Sequence, residues 1–490
     1  MFKGFSIVHG VMIWGWLILG FAVGKTALAG GGMDFYIQSK LLSQSQPKHK
    51  TKEEKEGTYF QRVDHHDPLR KKYKYFGRYT NQYFPQRYFI QSNFAATLDA
   101  PVLYIVCGEG VCSGTRSIPS MQELAKKLGA HLIAIEHRYY GYSQPFNRLT
   151  TQNLRYLTMD QAIEDLANFQ RYAQAVLGYT GNWIVVGGSY SGSLAAFYRM
   201  RHPDLVAGAI ASSAPVLAKD DFFEYDRHMA QVAGPDCRKA IQAAVSRAEE
   251  KLKTDEGKKS LRVLFQSEAI KDDIDVLYVI ADMAAYAVQY GFRQEFCDSL
   301  AEGFQSDLVL EKYAEKGLEV FSRFGITPVM DSFQGVESDR PSDYLGFAGL
   351  RSWFYQSCTE VGYFQNANPD RLMTTRSSLI SLPYHLAACK RIFGPLDAKL
   401  QLNVTKTNAL YFDRLKNRDV NQILFTNGSE DPWSVLSILS DTFSTTPNPG
   451  LSIFMIPDAS HSDDLGTRLS VGLNQARDLT ESLVRSWLGL

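Results

Sequence analysis

The segment Trp183-Ile184-Val185-Val186-Gly187-Gly188-Ser189-Tyr190-Ser191-Gly192 places a serine between a strand-like run and a helix-forming one. A serine hydroxyl is a poor nucleophile at neutral pH, so it needs a base beside it and a turn that pushes it clear of the sheet. A sharp strand-to-helix elbow does this, and it leaves room only for small residues two positions to either side. Gly187 and Ser191 hold those positions, with Ser191 standing where the Gly-x-Ser-x-Gly pattern has glycine. The backbone N–H of Tyr190, at the positive end of the helix that begins there, is placed to receive an oxyanion. The chemistry implied is acyl transfer. The competing reading is an ordinary Gly-rich turn in which Ser189 only caps a helix. Ser191 and Ser193 are rival nucleophiles, but neither has small neighbours in register with the strand end.

On sheets that carry such an elbow, the partners follow the serine in the order acid, then histidine. The sequence has ten histidines, and His461 is the only one after residue 385. It lies in Ala459-Ser460-His461-Ser462, directly after the strand-like LSIFMI of residues 451–456. The preceding strand-like run, QILFT at 422–426, leads into Asn427-Gly428-Ser429-Glu430-Asp431-Pro432-Trp433. Asn427-Gly428 and Pro432 fix that loop, which favours a positioned carboxylate. Asp431 is the expected acid, and Glu430 is the alternative because either carboxylate can orient an imidazole. Singly, His461 could be a surface-loop histidine and Asp431 a turn former. Together, Ser189, Asp431 and His461 fall at strand ends in the required order.

The surrounding elements have to hold these residues in place. Residues 101–107 (PVLYIVC) and 131–136 (HLIAIE) are short buried-strand patterns, the first ending in Gly108-Glu109-Gly110. Residues 121–128 suggest a helix, and another starts at Thr158 with Gln161 three residues on as a capping box. Strands alternating with helices in this way give an α/β fold with parallel βαβ units and a sheet covered on both faces. Tyr83-Phe84 and Arg87-Tyr88-Phe89-Ile90 suggest edge strands, with structure beginning near Tyr59. The interval between Ser189 and Asp431 exceeds the ~60–90 residues that two or three βα units take, leaving roughly 150 for an insertion. Helical spacing with many charges at 238–252, 271–290 and 299–323 makes that insertion mainly helical. A cap of this size would wall off the site. The expected organisation is therefore a first sheet segment at 58–218, a helical cap at 219–394 and a second sheet segment at 395–490.

Composition excludes several functions. The chain has 490 residues, 45% of them hydrophobic, enough for a large core. Lys+Arg and Asp+Glu are equal at 52 each, so no basic footprint for nucleic acid exists. Lys3, an apolar stretch from Val11 to Val23 and Ala27-Leu28-Ala29 read as a signal peptide over 1–29, with an uncleaved anchor as the alternative. Residues 30–57 are polar and read as a leader or pro-segment. Export would allow the six cysteines to pair. Gly108-Glu109-Gly110 is not a dinucleotide loop, because its third glycine, Gly114, falls one place late. His65-His66-Asp67 lacks the company of a metal site, so neither metal nor cofactor is expected. Asn403-Val404-Thr405 is a glycosylation sequon; the one at Asn427 lies too close to the acid to be used.

At this point the chain resembles a known family, the serine peptidases that include lysosomal Pro-Xaa carboxypeptidase, dipeptidyl peptidase II and thymus-specific serine protease. The similarity covers nearly all of the mature chain. It is carried by Gln61-Arg62-Val63-Asp64-His65, Glu136-His137-Arg138-Tyr139-Tyr140-Gly141, GGSYSGSLAA from Gly187, Ser212-Ser213-Ala214-Pro215, Arg351-Ser352-Trp353-Phe354-Tyr355-Gln356-Ser357-Cys358, Asp431-Pro432-Trp433 and Ala459-Ser460-His461. The thymus-specific branch is nearest, since its elbow also lacks the glycine after Ser-Tyr. The resemblance implies an α/β-hydrolase fold with a large helical cap insertion and the triad Ser189, Asp431, His461. The activity it implies is that of a secreted exopeptidase cutting after proline, of Pro-Xaa carboxypeptidase or Xaa-Pro dipeptidyl peptidase type. It also implies oxyanion donors at Tyr190 and in Gly108–Gly110, and a wall for the P1 proline at Trp433, whose other reading is core packing. Cys358–Cys389 and Cys237–Cys297 are the implied bridges, while Cys107 and Cys112 form a local bridge or remain thiols. The expected partner is a peptide with proline at P1, with a homodimer compatible and neither nucleic acid nor a membrane span expected. An esterase or lipase on the same fold and a non-catalytic binding protein are the rival functions.

Overall fold

Short, mainly apolar runs without Asp, Glu, Lys or Arg form the middle of the main sheet, as expected of strands covered on both faces. In the computed structural model, which describes residues 54–67, 83–305, 308–340, 349–396, 400–443 and 448–490, these are β3 (Val102–Val106), β4 (His131–Ile135), β5 (Trp183–Gly188) and β6 (Gly208–Ser212). Every residue of β3, β4 and β6 is buried. At ~1.5–3 kcal/mol per fully buried Val, Leu or Ile side chain, this block is the main stabilising unit of the sheet. The flanking strands are β1 (Glu54–Arg62) and β2 (Tyr83–Gln91) on one side. After the short strands β7 (Lys219–Asp221) and β8 (Gly362–Phe364), β9 (Ile423–Gly428) and β10 (Leu451–Ile456) complete the other side.

The eight-stranded order is β1-β2-β4-β3-β5-β6-β9-β10, with β2 antiparallel to both of its neighbours and the other pairs parallel. Helices α1 (Pro119–Leu128), α2 (Met159–Tyr172) and α3 (Tyr190–Arg201) supply the crossovers of the first half. This is the α/β-hydrolase arrangement, with the elbow serine at the carboxyl end of a central parallel strand. Between β6 and β9 the chain leaves the sheet. β7 and β8 pair parallel at the exit, and the insertion contains α4 (Phe223–Lys251), α5 (Asp273–Gln289), α6 (Arg293–Gln305), α7 (Val309–Arg323) and α8 (Leu382–Phe393). Val279, Ile280, Phe296 and Phe321 belong to its own apolar core. A closing helix, α9 (Val471–Leu488), returns to the sheet.

Three sequence expectations need correction. The leader does not reach residue 57, because β1 begins at Glu54 and pairs with β2 from Glu54↔Gln91 to Arg62↔Tyr83. Its charges are those of an edge strand, where Lys and Glu discourage further pairing, and the Glu54 carboxylate accepts from the Thr115 N–H at 2.7 Å. Residues 83–90 are consequently an interior strand, shielded by β1. The capping box is also only half formed. Thr158 accepts from the Gln161 N–H, but the Gln161 side chain accepts from the His65 N–H at 2.9 Å and donates to Asp64 at 2.7 Å. The expected signal peptide and the rest of the leader lie outside the described residues. All six cysteines are paired, as Cys107–Cys112, Cys237–Cys297 and Cys358–Cys389. Among the described residues no helix is long and apolar enough to cross a membrane.

Candidate active site

At the end of β5 the backbone turns sharply, and Ser189 adopts φ 58°, ψ −132°, a conformation that costs a non-glycine residue about 1–3 kcal/mol and must be imposed by its surroundings. The Ser189 N–H donates to the Ser212 carbonyl at 2.9 Å. A Cβ on Gly187 would come within 2.1 Å of the Ser191 carbonyl oxygen, and one on Gly188 within 2.7 Å of Leu465. Glycine at 187 is therefore a steric requirement, because the clash there is with backbone, whereas at 188 the Leu465 side chain could give way. Ser191 fits because its hydroxyl is used by the turn itself, donating to the Gly188 carbonyl at 2.7 Å and accepting from the Gly188 N–H at 3.1 Å. Ser193 is buried and donates to the Pro215 carbonyl. Both rival serines are thus engaged by backbone, whereas Ser189 lines an open cavity.

The loops after β9 and β10 bring the other two residues together. His461 Nδ1 lies 2.8 Å from Asp431 Oδ2, so the ring donates from Nδ1 and leaves Nε2 as the acceptor that a general base requires. Asp431 is fully buried, and its other oxygen accepts from the Trp433 N–H at 2.9 Å. Burial pulls the His461 pKa down, but the charge and hydrogen bond of Asp431, with Glu109 and Asp464 further off, lift it above the ordinary value. Glu430 turns away and pairs with Arg293 at 2.6 Å. The histidine loop is pinned on both sides of the ring: the His461 N–H donates to the Gln289 carbonyl at 2.9 Å and the Ser462 N–H to Ser213 Oγ at 2.9 Å. Ser189 and Ser462 line one groove together with Gly108 and Gly110. No hydrogen bond joins Ser189 Oγ to His461 here; catalytic hydrogen bonds commonly tighten only once substrate is bound.

The cavity measures about 520 Å³, within the ~300–1,000 Å³ usual for small-ligand sites. Trp433 forms part of its wall, donating from Nε1 to Gln289 at 2.9 Å and packing against Phe222, Tyr225 and Tyr363. It is a wall residue and a packing residue at once. The Tyr190 side chain points away from the oxyanion position, accepting from Gln356 at 2.6 Å and meeting His137 Nε2 at 3.3 Å. His137 donates from Nδ1 to the Arg138 carbonyl, and burial brings its pKa down to about 4, so its free nitrogen accepts from the tyrosine.

Three residues of the site escaped the sequence reading, Asp282, Asp331 and Gln289, and Glu109 entered it only as part of the Gly108–Gly110 loop. Only Asp282 carried a usable signal, a lone acid within the apolar run LYVIADMAAYAV, since a buried carboxyl without a purpose is costly. Among the described residues no group of His, Cys, Asp and Glu is arranged to hold a metal. His65 is bonded to Asp165 at 2.7 Å, and His66 is bonded to Asp160. Asn427 of the second sequon is buried.

Residues 71–478 match the model of the family described as serine carboxypeptidase S28. The chain is 38% identical over 362 residues to "Probable serine protease EDA2" of Arabidopsis thaliana, covering 71% of each chain. It is 29% identical over 444 residues to the thymus-specific serine protease of Mus musculus, covering 83% of this chain and 84% of that one. It is 26% identical over 468 residues to the lysosomal Pro-X carboxypeptidase of Bos taurus, covering 86% and 87%.

Proposed function

The chain belongs to the serine carboxypeptidase S28 family and is a serine-type peptidase, and from that premise we propose that it is an exported exopeptidase cutting after proline, with Ser189, Asp431 and His461 as its triad. His461 Nε2 takes the proton of the Ser189 hydroxyl as the oxygen attacks the carbonyl carbon. The N–H groups at Tyr190 and in the Gly108–Gly110 loop receive the oxyanion. The imidazolium then gives its proton to the departing amine, leaving an ester on Ser189, and water reverses the sequence to free the acid. Asp431 holds the ring in its tautomer and stabilises its charged form. The observation that supports this reading most is the 2.8 Å contact between His461 and Asp431 at the rim where Ser189 stands on its strained elbow.

Proline at P1 is supported by the relative named for Pro-X cleavage and by the flat aromatic wall at Trp433, which suits a rigid ring. Export is supported by the three disulfides, which persist in oxidising compartments. The test compares a prolyl dipeptide amide, its alanyl counterpart and a p-nitrophenyl ester under one set of conditions. Turnover of the prolyl amide ahead of the alanyl one, lost in Ser189→Ala, is expected. Ester cleavage with no amide turnover would replace the peptidase by an esterase.

A further inference from the structure

The cavity that starts at Ser189 is closed at its far side by cap residues, and their charges are one-sided. Three carboxyl side chains line it, Glu109, Asp282 and Asp331, and among the described residues no lysine or arginine does. Asp282 is 6% exposed and pairs with the buried Arg376, whose Nη2 lies 2.7 Å from its Oδ1. Arg376 therefore balances Asp282 from behind. Asp331 forms no ion pair of its own among the described residues, and the Arg376 charge offsets its burial only in part. Its Oδ2 is shut off from solvent without a hydrogen-bond partner, which calls for a partner from outside the chain, a water or a ligand. Burial, with the neighbouring Asp282 charge adding to it, outweighs the Arg376 charge and pushes the Asp331 carboxyl well above the usual carboxylate range. A cation arriving in the cavity would supply the paired counter-charge that Asp331 lacks.

The depth fits a peptide. Gln289 marks the catalytic end of α5, since its carbonyl accepts from the His461 N–H. Asp282 stands two turns earlier on the same face of that helix, about 10 Å along its axis at 1.5 Å per residue. An extended peptide covers about 3.3–3.6 Å per residue, so this distance takes two or three residues between the attacked carbonyl and the terminal nitrogen.

We propose that Asp331, with Asp282 beside it, captures the free α-ammonium of the substrate, so that the enzyme removes a two- or three-residue fragment from the amino end and does not trim the carboxyl end. A cationic group is the strongest seat for a substrate's terminal carboxylate, and the described lining offers no lysine or arginine. The proposal rests on the peptidase reading above for which bond is cut, but the capture of an amine can be read without catalysis.

The Ser189→Ala protein is titrated calorimetrically with Ala-Pro-amide, Ala-Ala-Pro-amide and the N-acetylated form of each. At least one free amine should bind about 30-fold more tightly than its acetylated twin, the effect of removing one partner of a buried charge pair. Asp331→Asn in the same background should erase most of that ratio. Equal binding of free and acetylated peptides overturns the proposal, and so does a ratio that survives Asp331→Asn. The free-against-acetylated comparison needs no change at Asp331, so it decides even where that variant folds poorly. Asp282 is left intact because its removal would strand Arg376. Release of the last residue from an acetylated peptide ending in Pro-Phe by the unaltered enzyme also counts against it. If the Ser189→Ala protein prefers the free amine while the unaltered enzyme cleaves no amide, the peptidase reading falls and the amine site stands.

Discussion

The ground beneath the triad and the cap cavity treat buried carboxyls differently, although cap acids away from the cavity, such as Asp226 with its bonds from Asn368, Thr374 and Thr375, are satisfied too. Beneath the triad, each buried acid is fully occupied: Asp464 accepts from Ser212 at 2.5 Å and Thr426 at 2.8 Å, and Asp165 takes two bonds from Arg138 at 2.7 and 2.6 Å and one from His65. In the cap cavity, Asp331 keeps an oxygen without a partner. Satisfied networks rigidify and fix geometry, whereas a partly satisfied one is costly unless something outside the chain completes it. The comparison assigns positioning to the sheet and recognition to the cap, and substitutions in the two regions should fail differently.

The largest effect belongs to the carboxylate proposed for the triad. Asp431→Asn should lower kcat by roughly 10⁴-fold, as loss of the orienting acid does in serine hydrolases generally. It also carries a pH signature. The base form of His461 is lost as pH falls through a pKa that Asp431 lifts above the ordinary histidine value against the pull of burial. In the variant burial is opposed only by the more distant Glu109 and Asp464, so the acid limb of kcat/KM should move to lower pH.

Next in size, Asp165→Asn leaves Arg138 buried without its partner and should cost about 3–5 kcal/mol in stability, read as a lower urea midpoint. Asp331→Asn should do the reverse. A carboxyl whose folded pKa is raised takes up a proton on folding, so stability falls as pH rises from the unfolded value towards the folded one. The variant removes that loss, and its advantage in melting temperature should grow with pH across that window. If Asp331→Asn instead destabilises at every pH, the contrast between sheet and cap is wrong. The smallest effect is expected at Trp433→Phe. It loses the Nε1 bond to Gln289, but Gln289 still accepts from the Tyr225 hydroxyl at 2.8 Å, so the change should be about 1 kcal/mol, roughly fivefold in kcat/KM.

This division also governs what could be read from the sequence. The strands around Ser189 are continuous apolar runs ended by glycine, and the elbow needs Gly187 because the turn packs backbone against backbone. Both leave local marks. The order serine, acid, histidine left Asp431 and His461 as the candidate partners in the same way. β1 was misread because an edge strand carries the charges of a leader, and its partner lies more than twenty residues downstream. The meeting of the cavity acids was invisible for a different reason. Asp282 and Asp331 stand on separate cap elements, and nothing in the spacing between them says that both meet one cavity. Local chemistry is written in adjacent residues; recognition in a helical cap is written in packing.

The most direct test of the account is a fluorophosphonate probe followed by peptide mapping. The unaltered enzyme should carry one adduct, on the peptide containing Ser189, and Ser189→Ala should carry none while melting at the same temperature. An adduct that persists in Ser189→Ala on Ser191 or Ser193, or an unaltered enzyme that takes up no probe at all, would contradict it.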